Sequence, residues 1–354
     1  MTETLKKGFQ SKQIKFPSEL RFNLVSGDWV IIATGRGKRP TLFKRKKKRV
    51  RKISKKDCPF CNLEFPSRPL LVFPQAPKIS LTEKVPNNWT LLVVSNKFPA
   101  FLPCPKLEKK YENKIYQIMN AVGFCEVVIT RDHKKSLTLL PLEKVKEVFD
   151  AYQKRYLALM KEKFVNYISI FHNHGAEAGA TQPHPHSQII TTPLLDVDLR
   201  KALLNSKKFL KKSKKCIYCQ MNDWEIKTKK RIVFENKNFL VICPFASKTA
   251  FEIIISPKKH LSYFEKITEN EKWDLAEAFQ NALKKLYKAL NDPSYNFYLH
   301  TAPCDGKEHP YYHWHWTILP KTEIWAGFEM GTRMEISTIE PEKAAKYLRE
   351  QKIN

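Results

Sequence analysis

Residues 172–190 read His-Asn-His-Gly-Ala-Glu-Ala-Gly-Ala-Thr-Gln-Pro-His-Pro-His-Ser-Gln-Ile-Ile. A loop with two glycines is followed by His-Pro-His and then by Ser-Gln, which begins an apolar strand. Because residues two apart in an extended chain point to the same side, His184, His186 and Gln188 should share one face. Two imidazoles and an amide beside a loop rich in backbone N–H groups predict a reaction centre for a phosphate. The alternatives are a surface loop with two incidental histidines or a bare pair of metal ligands.

The order of motifs in the first half of the chain is repeated in the second half. Each half contains Cys-x-x-Cys, a strand, a lone histidine, a helix, a strand and then His-x-His. Apolar side chains at helical spacing predict the two long helices over 141–164 and 268–291. An ordered match of this kind indicates an internal duplication. We therefore predict two tandem units, residues 1–195 and 196–354.

The duplication also predicts two metal sites, each made of a Cys-x-x-Cys pair, the lone histidine and the first histidine of His-x-His. The first set is Cys58, Cys61, His133 and His184, and the second is Cys216, Cys219, His260 and His313. Zinc takes thiolates and imidazoles in this proportion, and four protein ligands make a closed structural site. The alternative is a pair of redox dithiols with unrelated core histidines. The sequence therefore predicts two zinc ions per chain.

The two halves are not chemically equivalent. His315 is the positional counterpart of His186, but Trp316 follows it and no glutamine stands two residues further on. The second half also lacks the Gly-x-x-x-Gly loop. We infer that only the first half keeps a reaction centre and that the second half is scaffold, with a possible part in walling the substrate site.

The stretch Asn173-x-Gly175-x-x-x-Gly179-x-Thr181-x-x-His184-Pro185-His186-x-Gln188 resembles the signature of galactose-1-phosphate uridylyltransferases. These are the nucleotidyltransferase branch of the histidine-triad superfamily. The resemblance implies that His186 is a nucleophile and that Gln188, which replaces the third histidine of the hydrolase branches, donates to phosphoryl oxygens. The chemistry agrees, because an imidazole can form a covalent intermediate while an amide donates hydrogen bonds but cannot protonate a leaving group. Reversible transfer is favoured over hydrolysis.

The resemblance spans nearly the whole chain and implies an α+β fold of two tandem histidine-triad-like units. Each unit would be an antiparallel sheet with one long helix packed across it. The resemblance also implies a set of substrate-binding residues: Arg36 and Arg39 on the nucleotide phosphates, Asn96 near the base or ribose, and Asn173, Gly179, Ala180 and Thr181 around the reacting phosphate. From the residues alone, the preferred reading of the two arginines is surface charge in a lysine-rich protein, and Asn96 can also be read as a strand-ending residue.

The implied reaction moves a UMP group between UDP-glucose and galactose 1-phosphate through a nucleotidyl-histidine. The expected partners are thus a nucleotide-sugar and a hexose 1-phosphate. Ser187-Gln188, the alanine-rich loop and the tail Gly327-Phe328-Glu329-x-Gly331-Thr332 look instead like the branch that contains ADP-glucose phosphorylase. That branch hands an adenylyl group to inorganic phosphate. Base and acceptor stay open at this point.

Charge and composition restrict the other functional classes. The chain has 63 Lys and Arg against 35 Asp and Glu, a formal net charge of +28. A zinc-stabilised nucleic-acid-binding protein is the alternative from another class, although the lysines are spread over nearly every segment rather than clustered. No apolar run is long enough to cross a membrane and no signal-peptide core is evident, so a cytoplasmic protein is predicted. A homodimer is one option for its assembly.

Overall fold

The computed structural model of the chain describes residues 18–36, 53–74 and 85–353, with the side chain of Arg36 excepted. Fifteen strands and six α-helices lie within these residues. The strands are β1 (Ser18–Phe22), β2 (Trp29–Ala33), β3 (Leu71–Phe73), β4 (Leu91–Ser95), β5 (Lys109–Glu112), β6 (Tyr116–Met119), β7 (Cys125–Thr130), β8 (Tyr167–His174), β9 (His186–Thr192), β10 (Ile232–Glu235), β11 (Phe239–Ile242), β12 (Ile253–Pro257), β13 (Tyr295–His300), β14 (His315–Pro320) and β15 (Ile336–Ser337). The helices are α1 (Leu142–Leu159), α2 (Val197–Ser213), α3 (Ile217–Thr228), α4 (Glu269–Leu290), α5 (Gly327–Thr332) and α6 (Pro341–Arg349).

Ten strands form one sheet in the order β10-β11-β12-β14-β13-β8-β9-β7-β4-β3. The five strands on either side of the β13–β8 junction follow the same internal order, so the duplication read from the sequence is repeated in the topology. Every neighbouring pair in this sheet is antiparallel. The predicted α+β class with antiparallel sheets is confirmed.

The two expected sheets are joined into one. Strands β8 and β13 would each be an edge of their own half-sheet, with unpaired N–H and C=O groups. Instead they pair with each other, in a register that sets Phe171 opposite Tyr298 and Asn173 opposite Asn296. This pairing removes two exposed edges and places side chains of the second half next to β8, one strand away from the His-x-His strand β9.

The two long helices lie where the apolar spacing predicts them, and both pack on the same face of the sheet. Helix α4 begins after Thr268, whose hydroxyl accepts from the Glu271 N–H in a capping box, and it ends at Asn291, which adopts a left-handed φ of 58°. Helix α1 ends at Leu159 rather than at residue 164, because the chain must turn there to enter β8. We call the side of the sheet covered by α1 and α4 the helix face, and the opposite side the site face.

An aromatic cluster on the helix face joins the two halves. Phe279 of α4 is fully buried and contacts Phe149 of α1 at 5.3 Å, Phe297 of β13 at 4.9 Å and Trp316 of β14 at 5.7 Å between ring centroids. Aromatic pairs at these distances add to the free energy gained by burying the rings. The core is therefore continuous across the duplication.

Replacing this central ring tests whether the halves unfold together. We expect Phe279→Ala to lower the free energy of unfolding by about 3–5 kcal/mol, because truncation leaves a cavity among rings from both halves. Denaturant unfolding followed by fluorescence should still show one transition. Tyr287→Ala on the same helix is the matched control, since Tyr287 is 37% exposed and should cost far less. Two separate transitions in the variant would contradict a shared core.

Some elements were not predicted from the sequence. Helices α2 and α3 follow the first half of the chain and pack near Tyr167 on the site face, with Asp196 accepting from the Leu199 N–H as the cap of α2. A small sheet pairs β1, β2 and β15, and a hairpin pairs β5 with β6. No helix among the described residues combines the length and apolar character that crossing a bilayer requires.

Candidate active site and metal centres

The His-x-His strand β9 alternates between the two faces of the sheet. Ser187 and Ile189 are buried on the helix face, whereas His186 and Gln188 are half-buried on the site face. In the pairing with β7, His186 lies opposite Ile129 and Gln188 lies opposite Val127. The predicted side-by-side placement of the imidazole and the amide is therefore present.

A backbone hydrogen bond fixes the tautomer of His186. Its Nδ1 lies 2.9 Å from the carbonyl oxygen of His184, and a carbonyl can only accept, so Nδ1 carries the proton. Nε2 is then left with its lone pair. Burial lowers the pKa of His186 below its ordinary value, which favours the neutral ring. Phe60, from the first Cys-x-x-Cys segment, stands edge-on to this ring at 5.1 Å.

Asn173 completes the group around His186. The β8–β9 register pairs Phe171 with Gln188 and His172 with Ser187, so one further step sets Asn173 opposite His186 on the site face. Directly opposed side chains in an antiparallel pair have β-carbons about 4.5–5.5 Å apart. The amide Nδ2 of Asn173 makes no hydrogen bond within the described ranges, whereas its Oδ1 accepts from Asn296 at 2.7 Å. An imidazole nitrogen and two amide groups therefore lie on adjacent strands of the same face.

The glycine loop after β8 is tightly folded. Gly175 and Gly179 have φ of 82° and 85°, in the left-handed region that favours glycine. The N–H groups of Gly179 and Ala180, expected to face a phosphate, donate instead to the carbonyls of Ala176 and Gly175 within the loop. The Thr181 N–H makes no hydrogen bond to any residue that the structure describes. Of the three predicted backbone donors, Thr181 is the one left available.

Hydrogen bonds on the helix face anchor β9 on the side opposite to His186 and Gln188. The Tyr152 hydroxyl of α1 donates to Ser187 Oγ at 2.6 Å, and Ser187 Oγ lies 3.1 Å from His172 Nδ1. Burial raises the pKa of Tyr152 and lowers the pKa of His172, so the phenol keeps its proton and the imidazole stays neutral. Ser187 separates the two site residues in sequence, so this anchoring fixes the strand between them.

The first predicted metal group is assembled in the structure. The ligand atoms of Cys58, Cys61, His133 and His184 all lie within 4.8 Å of one another. Sulfur-to-Nδ1 distances are 3.5 Å for Cys58–His184, 3.3 Å for Cys61–His133 and 3.5 Å for Cys61–His184. Tetrahedral zinc, with bonds of about 2.3 Å to sulfur and 2.0–2.1 Å to nitrogen, separates these atoms by about 3.6 Å. The residues present fit such an ion.

The second group has the same construction. Cys216, Cys219, His260 and His313 bring their ligand atoms within 4.8 Å, with Cys219 Sγ at 3.3 Å from His260 Nδ1 and 3.6 Å from His313 Nδ1. The hydrogen bond with the Cys219 thiol lowers the pKa of Cys216 against the opposing effect of burial. A thiolate is the form that binds metal.

Backbone carbonyls orient all four histidines of the two groups. The Nε2 atoms of His133 and His184 donate to Ile53 and Thr130, at 2.9 and 2.7 Å. The Nε2 atoms of His260 and His313 donate to Pro310 and Pro257, at 2.8 and 2.9 Å. In each of these histidines Nδ1 is therefore unprotonated, and its lone pair faces the cysteines. Such outer contacts are how proteins orient metal-binding histidines.

The remaining predicted substrate residues are less fully described. Asn96 follows β4, its N–H donates to Cys125, and its side chain accepts from the Phe98 N–H in a local turn. This contact fits the simpler interpretation of Asn96, that of an asparagine that ends a strand. Arg36 ends a short 3-10 helix, and Arg39 lies outside the described residues.

The second half repeats the histidine geometry without the other groups. His315 Nδ1 donates to the His313 carbonyl at 3.1 Å, as His186 does to His184, but Thr317 takes the place of Gln188. His315 and His300 stack at 4.6 Å in a cavity of about 1420 Å³ that lies away from His186. This cavity is therefore not the candidate reaction centre, because His186, Gln188 and Asn173 are not among the residues that line it.

Two residues of this region were missed by sequence reasoning: Phe60, which contacts the His186 ring, and Asn296, which donates to Asn173. Phe60 sits inside the first Cys-x-x-Cys segment, where it reads as a spacer. Asn296 sits in the alternating strand β13, where it reads as an ordinary polar residue facing solvent. No local pattern distinguishes either residue, because both reach the site only through folding.

Comparison with known families agrees with this arrangement. The protein-family model described as "Galactose-1-phosphate uridyl transferase, N-terminal domain" matches residues 7–196. The family model of the C-terminal domain matches residues 203–352. Together with the duplicated sheet and the His-x-His strand, these matches define the protein as a nucleotidyltransferase by class. The chain belongs to the galactose-1-phosphate uridylyltransferase family, and the resemblance seen in its motifs is confirmed.

Relatives of two kinds cover nearly the whole chain. An ADP-glucose phosphorylase from Arabidopsis thaliana is 33% identical over 340 residues, which are 94% of this chain and 92% of that protein. A galactose-1-phosphate uridylyltransferase from Thermotoga maritima is 28% identical over 347 residues, 95% and 99% of the two chains. The crystal structure of the Arabidopsis enzyme with bound ADP-glucose superimposes with a TM-score of 0.78, covering 95% of this chain and all of that one. A uridylyltransferase structure gives a TM-score of 0.71 at 28% identity, covering 94% and 97%.

Proposed function

We propose that the protein transfers a nucleotidyl group from a nucleotide-sugar to a phosphate acceptor through a covalent intermediate on His186. The observation that carries this proposal is the pairing of a free Nε2, fixed by the Nδ1 contact to His184, with the side chains of Gln188 and Asn173 on the same face. One nucleophile flanked by hydrogen-bond donors is the arrangement that phosphoryl transfer through an enzyme nucleophile requires.

The reaction proceeds in two displacements. In the first, the Nε2 lone pair attacks the α-phosphorus, the bond from that phosphorus to the bridging oxygen breaks, and hexose 1-phosphate leaves with the electron pair. In the second, an oxygen of the acceptor phosphate attacks the same phosphorus, and the P–N bond breaks to restore the Nε2 lone pair. The proton stays on Nδ1 throughout, donated to the His184 carbonyl oxygen. Both leaving and attacking groups are already ionised phosphates, so no general acid is needed and an amide at 188 suffices.

The hydrogen-bond donors around His186 stabilise the negative charge that develops on the phosphoryl group. Gln188, Asn173 and the Thr181 N–H supply hydrogen bonds to non-bridging oxygens that gain charge in the transition state. Arg36 and Arg39 are proposed to contact the nucleotide phosphates and Asn96 the nucleoside. We keep the division into two tandem structural units. Residues 1–195 contain the proposed reaction centre, and residues 196–354 support it.

Zinc is proposed as the resident metal at both groups. Its role there is structural, because all four positions of a tetrahedral ion would be taken by protein ligands. In the first group, Cys58 and Cys61 together with His133 and His184 would tie the segment carrying Phe60 to the start of β9. His184 then links the metal to the reaction centre, since its carbonyl holds His186.

For the substrates, we propose an adenylyl donor of the ADP-glucose kind with inorganic phosphate as acceptor. The 33% identity to the Arabidopsis phosphorylase and the loop and tail motifs that look like its branch support this choice. Transfer of UMP between UDP-glucose and galactose 1-phosphate is the second candidate. The full-length relationship to the Thermotoga uridylyltransferase favours it.

Mass spectrometry of the intact protein separates these possibilities. The protein is incubated with ADP-glucose or with UDP-glucose in parallel, and then digested to locate any added group. An adenylyl group on His186 supports the first choice and a uridylyl group the second. No adduct with either nucleotide-sugar, in protein that holds its metal, would refute the proposed function.

Gln188→Ala is expected to slow formation of the nucleotidyl-enzyme on the order of 10²-fold, because it removes one donor to the developing charge. Quenched-flow measurement of the adduct gives the rate constant directly. Thr192→Ala, on the same face of β9 but four residues further along, is the matched control and should leave the rate near normal. An unchanged rate in Gln188→Ala would remove this residue from the mechanism.

A further inference from the structure

The glycine loop of the first half rests on the start of β13 in the second half. Ser294 stands so close to Gly175 that a β-carbon at Gly175 would collide with the serine hydroxyl. His174 Nε2 lies 2.8 Å from Asp292 Oδ1. Asn296 donates two hydrogen bonds to the same region. Three successive contacts therefore come from a unit that has no nucleotidyl-transfer centre of its own.

Asn296 has the most specific of these contacts. Its Nδ2 donates to Asn173 Oδ1 at 2.7 Å and to the Ala178 carbonyl at 2.9 Å. An amide NH₂ has two hydrogens, so both are used. The first bond engages the side-chain oxygen of Asn173, and the second fixes the glycine loop through the Ala178 carbonyl. As direct partners in the β8–β13 register, the two asparagines share the site face.

These two bonds decide which end of the Asn173 amide meets a ligand. With its oxygen held by Asn296, Asn173 presents its NH₂ group to the surface beside His186. If the amide were turned over, its oxygen would face the anionic phosphate and would repel it. A free asparagine has no strong preference between the two orientations, so the choice comes from Asn296.

We propose that Asn296 is a positioning residue for nucleotidyl transfer, which orients the Asn173 amide as a donor to the phosphoryl group and fixes the loop over residues 175–180. This inference rests on the proposed function. It gives the second half of the chain a defined part in the reaction, through one residue that never has to touch the substrate. Asn173, by contrast, is the residue that contacts the phosphoryl group.

The test compares rates of nucleotidyl-enzyme formation for Asn296→Ala, Asn296→Asp, Asn173→Ala and the double variant Asn173→Ala/Asn296→Ala. We expect Asn296→Ala to be about 10- to 100-fold slower than the unaltered protein, approaching the loss of one donor. Asn296→Asp should be at least as slow although it preserves the shape, because a carboxylate cannot donate and would turn the Asn173 amide over. A residue that only fills space would give the opposite order.

The double variant identifies the route of the effect. If Asn296 acts through Asn173, the double variant should be far faster than the product of the two single losses predicts. Asn236→Ala is the matched control, since Asn236 also donates two side-chain bonds in the second half, to Asp274 and Glu277, remote from the loop. It should lose similar thermal stability and keep the normal rate. Hydrogen exchange over residues 175–181 should rise in Asn296→Ala and not in this control.

The outcomes separate two kinds of failure. If the unaltered protein forms no adduct with ADP-glucose or UDP-glucose, the proposed function fails and the positioning role falls with it. If the unaltered protein forms the adduct and Asn296→Ala does so at a normal rate, only the positioning role is overturned. Fully additive losses in the double variant would likewise overturn the route through Asn173.

Discussion

His186→Ala is expected to abolish the nucleotidyl-enzyme and to lower the rate of nucleotidyl exchange on the order of 10⁴-fold or more. Both displacements pass through Nε2 of this one side chain, so its removal leaves no alternative route through the same site. The exchange of radiolabelled glucose 1-phosphate into the nucleotide-sugar measures the first displacement alone. Steady-state kinetics of the unaltered protein should give parallel double-reciprocal lines, because donor and acceptor occupy the site in turn.

Two further variants show whether the loss of nucleotidyl exchange comes from the missing nucleophile or from damage to the fold. His186→Gly leaves space for free imidazole, which should restore part of the exchange if the missing group is the nucleophile. His315→Ala removes the positional counterpart, which has the same Nδ1 contact to the histidine two residues earlier. Its rate per folded molecule should be close to normal. Exchange at a near-normal rate in His186→Ala, or intersecting double-reciprocal lines, would contradict the covalent mechanism.

Removing one metal ligand should produce the largest loss of stability in the protein. His133→Ala and Cys216→Ala are each expected to reduce bound zinc from about two ions to about one, and to lower the free energy of unfolding by several kcal/mol. In a chain of 354 residues that unfolds as one unit, each kcal/mol corresponds to a shift in Tm of about 1–2 °C, because the entropy of unfolding grows with chain length. Elemental analysis of unstripped protein and thermal unfolding measure the two effects on the same sample.

The two metal groups should differ in their effect on the reaction. The first group includes His184, whose carbonyl holds His186, so His133→Ala should also slow adduct formation. The second group is tied to β12 and β14, so Cys216→Ala should lower stability while folded molecules still form the adduct. Cys125→Ala, a buried cysteine outside both groups, is the control and should keep both ions. Less than one zinc per chain in the unaltered protein would contradict the assignment.

Local pattern was enough to predict the parts of the site that lie close together in sequence. The alternation of His184, His186 and Gln188 follows from the period of an extended chain, so the sequence alone places these side chains on one face. The metal groups were predictable for a different reason. Thiolate and imidazole are a ligand set with few other uses, and the duplication supplied the pairing of distant cysteines with distant histidines.

Helix positions were predicted well where apolar spacing is strong and less well where it is weak. Thr268 and Asn291 bracket α4 because a side-chain cap and a left-handed residue end the helical hydrogen bonding at defined positions. Helices α2 and α3 were missed, since lysines interrupt the apolar spacing of the first and the Cys-x-x-Cys pair obscures the start of the second. The donor role of the glycine loop stays a prediction, and in the folded loop the N–H groups of Gly179 and Ala180 bond to the loop's own carbonyls.

The sequence by itself determined the fold class, the duplication, the two Cys/His groups that could hold metal ions and the His186–Gln188 pair, because periodicity and ligand chemistry are local or repeated properties. Only the tertiary structure decided that β8 pairs with β13 and that Asn296 therefore holds Asn173 and the glycine loop. These residues are more than a hundred positions apart, and an asparagine in an alternating strand carries no sign of its partner. Which edges meet depends on the free energy of closing the whole sheet, and no segment of the chain encodes that choice alone.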